Sequence, residues 1–347
     1  GIIANFTSWQ SSMARALPIS IGLLFLSLEI WRRMQGATAI DWWSSNRSAA
    51  RLGVSAVLTL GLVSLVGALN WQIQSAGDRV IEQDRNFYGV LSLQGRGIGA
   101  QWNRLALNNG RIRHGEQHQL YKSWPTTYFG PETGIGVAIK NHPNRDNVNR
   151  QFRVGVVGLG AGTLATYANA RINSGESNDS YVVPQERVNP DYFRFYELNP
   201  MVTQWARQHF TFLQDAHERG ANIDVFEGDA RIVMEQQIGL GEEQQFDVLA
   251  IDAFSSDAIP IHLLTIESMQ IYLAHLNEEG ILAFHVTNRN VDLIPIVVSL
   301  ARAIGLEAIH IENYADASHF VDSTDWILLT SSETFLNNPA VYLDEEA

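Results

Sequence analysis

Residues 154–164 read VGVVGLGAGTL. The first four residues predict a short apolar strand, the glycines at 158, 160 and 162 predict a turn, and Leu164 to Arg171 predict a helix. Glycine has no Cβ, so the backbone can turn tightly here and come close to a ligand, while a helix N-terminus favours polar or anionic groups. The stretch therefore predicts a strand, turn and helix built around a ligand.

Three later apolar runs each lead to an acid at a predicted strand end: Glu197, Asp229 and Asp252. Glu197 can accept hydrogen bonds from both hydroxyls of a ribose, and Asp229 can accept one from an adenine amino group. Helix capping is the alternative reading of each acid. The carboxyl ends of parallel strands share one edge, where open α/β sheets bind ligands. The sequence therefore predicts an α/β fold with a doubly wound, mostly parallel sheet.

The spacing of the glycines narrows the choice of nucleotide. A dinucleotide pattern requires a third glycine at position 163, where this chain has Thr163. No Walker lysine follows the turn, which argues against a nucleoside triphosphate. S-adenosylmethionine, or a relative without a pyrophosphate, fits this G-x-G-x-G spacing best.

A longer set of motifs, from about Asn86 to Ala303, resembles the spermidine synthases (polyamine aminopropyltransferases). The likeness is closest to the spermidine synthase-like domains that follow transmembrane segments in bacterial membrane proteins. Besides the glycine turn, the matching pieces are residues 85–90 (RNFYGV), 114–117 (HGEQ), 125–131 (PTTYFGP), 196–197 (YE), 228–231 (GDAR), 252–260 (DAFSSDAIP) and 284–289 (FHVTNR).

The resemblance implies a class I S-adenosylmethionine-binding, Rossmann-like domain and a role for each matching residue. Asp252 would deprotonate the attacking amine, Asp257 would approximate the second acid of the same loop, and Tyr128 would line the substrate cleft. The donor, S-adenosylmethionine or its decarboxylated form, would contact the remaining matches: Gly158, Gly160, Gly162, Glu197, Asp229, Ala230 and Gln117. The acceptor would be a small-molecule amine, and a homodimer is a possible assembly.

Departures from the family pattern keep three functions open. The synthases hold the donor's amino group with an acid where this chain has Ala161, and their Tyr-His-Glu segment is Tyr128-Phe129-Gly130 here. The two loop acids are five residues apart, against three in the synthases. Aminopropyl transfer to an amine is the leading hypothesis. Methyl transfer from S-adenosylmethionine and a non-catalytic nucleoside sensor are the alternatives.

Composition excludes several classes of function. The formal charge of −13 argues against nucleic acid, whose phosphates require a basic face. There are no cysteines, so disulfides and thiol catalysis are excluded. His114 and His118 are four residues apart without an acid-rich helix, so we expect no metal. His262 and His285 lie near the predicted site, and each is interpreted as a structural histidine.

The N-terminal region is predicted to contact a membrane. Residues 52–73 form an uncharged run of 22 residues, long enough to cross a bilayer, and residues 16–31 form a shorter apolar run. Tryptophans near the ends of both runs resemble interfacial anchors. We therefore expect association with a bacterial inner membrane, with the catalytic domain in the cytoplasm.

These patterns divide the chain into four predicted parts. Residues 1–77 would form N-terminal hydrophobic helices, and residues 78–150 a small antiparallel, β-rich subdomain. Residues 151–335 would form the Rossmann-like domain, and residues 336–347 a loosely held acidic tail.

Overall fold

The computed structural model describes residues 57–69, 78–96, 104–173, 181–254, 259–288 and 290–342. The chain divides into two compact units, Gly1–Gly77 and Asp78–Ala347. The described part of the first unit is helix α1, residues 57–69. Among the described residues, no helix has both the length and the apolar character needed to cross a bilayer. The predicted run 16–31 lies outside the described residues, and the membrane tether stays a prediction.

The second unit begins with a four-stranded antiparallel sheet in which the strands follow chain order. They are β1 (Asp78–Asn86), β2 (Gly89–Arg96), β3 (Arg104–Asn109) and β4 (Ile112–His118). Leu91, Leu93 and Leu107 from this sheet are buried in the same apolar cluster as residues of the larger sheet. The small sheet therefore packs onto the rest of this unit.

A seven-stranded sheet forms the centre of the unit. Its strands are β5 (Arg153–Val157), β8 (Tyr192–Glu197), β9 (Asn222–Glu227), β10 (Phe246–Ile251), β11 (Leu276–His285), β12 (Glu307–Asn313) and β13 (Thr324–Thr330). They lie in the order β12-β13-β11-β10-β5-β8-β9. Strands β9, β8, β5, β10 and β11 run parallel to one another, while β13 runs antiparallel to both β11 and β12. The fold is α/β with a mostly parallel sheet, as the sequence predicts.

Helices cover both faces of this sheet. They are α2 (Gly134–Asn141), α3 (Pro200–His209), α4 (Phe212–Glu218), α5 (Ala230–Leu240), α6 (Ile266–Ala274), α7 (Ile294–Ile304) and α8 (Glu333–Leu336). Side chains along β10 alternate between two apolar clusters: Val248 and Ala250 belong to one, Leu249 and Ile251 to the other. The sheet is therefore buried on both sides, which is typical of parallel sheets.

The strand order reverses between β5 and β10. From β5 the chain builds outward through β8 to β9, then returns to add β10 and β11 on the other side of β5. Connections that diverge in this way leave a crevice at the carboxyl ends of the two central strands, where open α/β sheets bind ligands. The glycine turn follows β5 and Asp252 follows β10, so both lie at this reversal.

The predicted helix over 164–171 is wrong. The structure has one 3₁₀ turn, Thr163–Tyr167, and then a short strand β6 (Ala170–Ile172), which pairs with β7 (Val182–Pro184). Arg145 donates to the carbonyls of Tyr167 and Ala170, groups that a continuing helix would use itself. Asn169 adopts a left-handed φ of 49°, which stops the helix. The glycine turn is therefore followed by a single helical turn only.

The predicted loose tail is described over residues 336–342. Within this stretch Val341 is fully buried in the main apolar cluster, while most of its neighbours are exposed. A short 3₁₀ turn, Pro339–Val341, brings Val341 inward. Residues 343–347 lie outside the described part of the chain.

Candidate active-site crevice

A crevice opens at the strand reversal, with an empty volume of about 880 Å³ that is partly open to solvent. The wall includes the glycine turn, the ends of β8, β9 and β10, and part of the small antiparallel sheet. The polar groups on this wall are Tyr88, Asn109, His114, Tyr128, Tyr196, Glu197, Asn199, Asp229, Asp252 and His262.

The three glycines of the turn all have positive φ, and two of them touch backbone of other strands. A Cβ on Gly158 would lie 2.6 Å from the carbonyl oxygen of Asp252, and one on Gly160 would lie 2.1 Å from that of His114. Gly162 packs against the side chain of Leu213 on α4, where a Cβ would meet it at 3.1 Å. Gly158 and Gly160 line the crevice, while Gly162 shapes the turn behind it.

Gly160→Ala is expected to lower the free energy of unfolding by about 2–4 kcal/mol, since it combines a left-handed residue with a backbone clash. Gly110→Ala is the matched control, because Gly110 has a similar φ of 59° but a Cβ added there would have no atom within 4 Å. That control should cost about 1 kcal/mol. Urea titration measures both, and equal losses would contradict the close approach of the turn to β4.

Glu197 holds the turn and faces the crevice. Its Oε2 accepts from the Leu159 N–H at 3.0 Å, and its Oε1 accepts from the Asn199 N–H at 2.8 Å. The carboxyl group is almost fully buried. Burial raises its pKa from the ordinary 4.5 to about 7, against the opposing effect of the Asn199 and Leu159 hydrogen bonds. This carboxyl group therefore holds its proton to a higher pH than an ordinary glutamate does.

Asp229 both lines the crevice and caps a helix. Its Oδ1 accepts from the Ile232 N–H at 3.2 Å as the N-cap of α5, and its Oδ2 lies 3.0 Å from Nε2 of His262. Ala230 follows it on the crevice wall and is buried. Arg231 also donates to the carbonyl of His262, so two bonds join the start of α5 to the segment that follows β10.

Asp252 stands at the end of β10 and pairs with a second histidine. Its Oδ1 lies 2.7 Å from Nδ1 of His285, and both side chains are about nine-tenths buried. Tyr128 reaches the same part of the crevice, with its ring stacked on that of His285 at 4.5 Å. Burial raises the pKa of Tyr128 well above its ordinary value, so the phenol keeps its proton. The structure thus brings Asp252 and Tyr128 together.

Gln117, like Gly162, is a predicted site residue that is not among the described residues lining the crevice. Its amide donates to Lys122 O and Thr211 Oγ1, and its Oε1 accepts from the Thr211 N–H, so the side chain ties β4 to the start of α4. A contact with the donor would break these bonds. Asp257 lies outside the described residues.

Ala161 faces the small sheet instead of the crevice. It is buried, and its Cβ lies so close to Gly115 on β4 that a Cβ added to that glycine would be 2.6 Å away. Its N–H donates to the carbonyl of His114 at 3.0 Å. A longer acidic side chain at 161 would meet β4. Ala161 is therefore matched to Gly115 by packing.

His114 is a crevice residue to which the sequence motifs assign no site role. It lines the crevice, and burial lowers the pKa of its imidazole, with the nearby Asp252 acting in the opposite direction. The imidazole is therefore neutral near pH 7. The HGEQ motif, which resembles the synthases, indicates that this strand contributes to the site. The resemblance assigns the role to the glutamine of that motif, Gln117, and not to His114.

The wall of the crevice is acidic. Glu197, Asp229 and Asp252 line it, and no lysine or arginine is present among the described lining residues. Over the described part of the chain, no three histidine or acidic side chains are grouped as a metal site would require. Such a wall suits a ligand that carries positive charge.

Among known proteins, no protein-family model matches this chain. An 86-residue stretch is 36% identical to one curated protein of Vibrio vulnificus, covering 25% of this chain and 26% of that protein. That relative is a polyamine aminopropyltransferase. The match spans about a quarter of its length.

Solved structures are similar at low identity. The spermidine synthase of Thermotoga maritima matches with a TM-score of 0.46 and 15% identity, covering 73% of each chain. Human methyltransferase-like protein 13, solved in complex with SAH, matches with a TM-score of 0.42 and 19% identity, covering 60% of this chain and 84% of that one. At these TM-scores, neither likeness supports a statement about function.

Proposed function

We propose that this chain is a spermidine synthase-like transferase that binds decarboxylated S-adenosylmethionine and moves its aminopropyl group to an amine. The observation that carries the proposal is the convergence of Glu197, Asp229 and Asp252, each at a strand end, on the crevice beside the glycine turn. Glu197 would hold the ribose, Asp229 and Ala230 would contact the adenine, and Asp252 would take a proton from the amine.

Charge favours the decarboxylated donor. S-adenosylmethionine carries a carboxylate, which is stabilised by a cationic partner when it leaves water. The described crevice wall offers three acids and no lysine or arginine. A donor with only a sulfonium and an ammonium group matches this wall better.

The sequence relative supports the same activity. The 86-residue match at 36% identity is to a protein named as a polyamine aminopropyltransferase. Because that match covers about a quarter of either chain, the substrates of this chain remain part of the proposal.

Methyl transfer from S-adenosylmethionine is the second candidate, and Ala161 favours it. The packing of Ala161 against Gly115 leaves no room for an acid that would hold the donor's terminal ammonium group. S-adenosylmethionine carries the same ammonium group, but in methyl transfer the chain that bears it is not the group that moves, so an acid at this position is not needed to aim the reacting carbon. The rest of the nucleoside pocket would serve either reaction.

Product analysis separates these functions. Purified full-length protein is incubated with each donor and a panel of amines, and products are followed by mass spectrometry. Methylthioadenosine together with an elongated amine is expected from the decarboxylated donor. S-adenosylhomocysteine would instead mark methyl transfer. If neither product forms with any amine, both transfer reactions are contradicted and the non-catalytic nucleoside sensor remains. Methylthioadenosine alone would indicate self-cleavage of the donor and contradict the acceptor assignment.

The raised pKa of Glu197 predicts that both folding stability and ligand binding depend on pH. Folding raises this pKa to about 7, so the folded state holds the proton more tightly than the unfolded chain. Its contribution to stability is therefore greatest below pH 4.5 and declines as the pH rises to about 7. Ribose hydroxyls donate to the ionised form, so methylthioadenosine should bind more tightly at pH 8 than at pH 6.

Calorimetry in two buffers of different ionisation enthalpy measures the linked proton. Near pH 7 binding should release a fraction of a proton per ligand, because part of the free carboxyl groups is protonated there. Glu197→Gln has no such proton and should remove the buffer dependence. Equal proton release in the wild type and this variant would show that another group titrates.

A further inference from the structure

His285 lies behind the crevice wall and touches the site only through other residues. It ends β11 and is not among the described residues that line the crevice. Its Nδ1 lies 2.7 Å from Oδ1 of Asp252, which does line it. His285 therefore acts on the site through the wall residues that it contacts, and Asp252 is the one that it meets at hydrogen-bond distance.

The imidazole is fixed on every side. Its ring is stacked between Tyr128, at 4.5 Å and 25°, and Trp326, at 4.8 Å and 15°. Its Nε2 lies 3.1 Å from the hydroxyl oxygens of both Thr287 and Thr324. Turning the ring over would place carbon atoms against the carboxylate and the two hydroxyls. The orientation of the ring is therefore set by both packing and hydrogen bonds.

The Asp252 contact assigns the tautomer of the His285 ring. A carboxylate can only accept, so the hydrogen of the 2.7 Å contact is placed on Nδ1 and His285 donates to Oδ1. Nε2 can then accept a hydrogen bond from either threonine hydroxyl. Oδ1 is thereby occupied, and Oδ2 is the carboxylate oxygen left for a ligand in the crevice.

We propose that His285 is the positioning residue that holds Asp252 as the proton acceptor in the transfer reaction, an inference that rests on the proposed function. The acceptor ammonium gives one proton to Oδ2 of Asp252. The amine nitrogen then forms a bond to the aminopropyl carbon attached to sulfur, that carbon–sulfur bond breaks, and its electron pair stays on sulfur as neutral methylthioadenosine. Glu197, His114 and Tyr128 are the other titratable groups near Asp252.

Two substitutions of His285 distinguish a role in positioning Asp252 from a role in packing alone. Asparagine carries its amide nitrogen two bonds from Cβ, as histidine carries Nδ1, so His285→Asn can still donate to Asp252. Glutamine carries its amide nitrogen one bond further, as histidine carries Nε2, so His285→Gln cannot. We expect His285→Gln to lower kcat by about 10- to 100-fold, the range found when the hydrogen-bond partner behind a metal-ligating side chain is removed. His285→Asn should keep roughly tenfold more kcat than His285→Gln, by the same reasoning.

Binding provides the control. The affinity for methylthioadenosine and the KM for the donor should stay close to the wild-type values in both variants, because His285 does not line the crevice. Equal losses of kcat in the two variants, or a matching loss of methylthioadenosine affinity, would overturn the positioning role and leave a structural one.

A spectroscopic measurement tests the hydrogen bond between His285 and Asp252 without requiring turnover. In full-length protein with ¹⁵N-labelled histidine, the Nδ1 proton of His285 should resonate far downfield, and Asp252→Asn should move it upfield. An unchanged resonance would contradict the pairing. A wild type that binds methylthioadenosine but turns over no donor would contradict the proposed function, and the resonance would still decide whether His285 holds Asp252.

Discussion

Asp252→Asn is expected to lower kcat for aminopropyl transfer by about 10²- to 10⁴-fold, the usual contribution of a general base. An amide cannot accept the proton that the acceptor ammonium must lose before it attacks. Asparagine can still accept from Nδ1 of His285 through its Oδ1, and the main-chain bond from residue 252 to Val157 is unaffected. The pocket should therefore keep its shape, and donor affinity should stay nearly intact.

Asp146→Asn is the matched control for this variant. Asp146 is exposed and pairs with Arg171 on the surface, and it does not line the crevice. The same chemical change there should leave kcat at the wild-type value. Steady-state and single-turnover rates measure both variants. An undiminished rate in Asp252→Asn would remove Asp252 from the role of base.

Glu197→Ala is expected to weaken methylthioadenosine binding by about 1–3 kcal/mol, or roughly 5- to 150-fold, through the loss of charged hydrogen bonds to the ribose. Part of this loss comes from the turn, because the carboxylate also accepts from Leu159 and Asn199. Glu197→Gln keeps one acceptor oxygen and should fall between the wild type and the alanine variant.

Glu186→Ala controls for the loss of one negative charge. Glu186 is exposed and is not a lining residue of the crevice. Calorimetric titration of the variants, with urea unfolding of each, separates binding from stability. Wild-type affinity in Glu197→Ala would contradict the ribose assignment.

Local sequence patterns predicted the sheet and much of the crevice wall. An apolar run that ends in glycine or an acid is a local signal, and parallel strands bring such ends to one edge. Glu197, Asp229 and Asp252 therefore meet beside the turn, as expected. The capping interpretation of Asp229 is also correct, since one carboxylate oxygen caps α5 while the residue lines the wall.

Long-range pairing could not be predicted from the chain alone. Both His262 and His285 looked structural as isolated residues, yet each lies beside a carboxylate 33 positions away. That proximity depends on the order of β9, β10 and β11 in the sheet. The same limit explains Gln117, whose partner Thr211, just before α4, lies 94 residues further along.

The prediction of a helix after the glycine turn is wrong for a related reason. Residues 164–171 have good local helix propensity, but Arg145 takes the carbonyls of Tyr167 and Ala170. Asp191 accepts from the Asn169 N–H and holds the backbone where it leaves the 3₁₀ turn. Tertiary hydrogen bonds therefore override local propensity at this point.

Titration of wild-type protein with 5′-methylthioadenosine tests most directly whether the strand ends form a nucleoside site. The convergence of Glu197, Asp229 and Asp252 predicts saturable binding of one nucleoside per chain, tighter at pH 8 than at pH 6. Absence of saturable heat at millimolar ligand, or affinity equal in the wild type and Glu197→Ala, would contradict it.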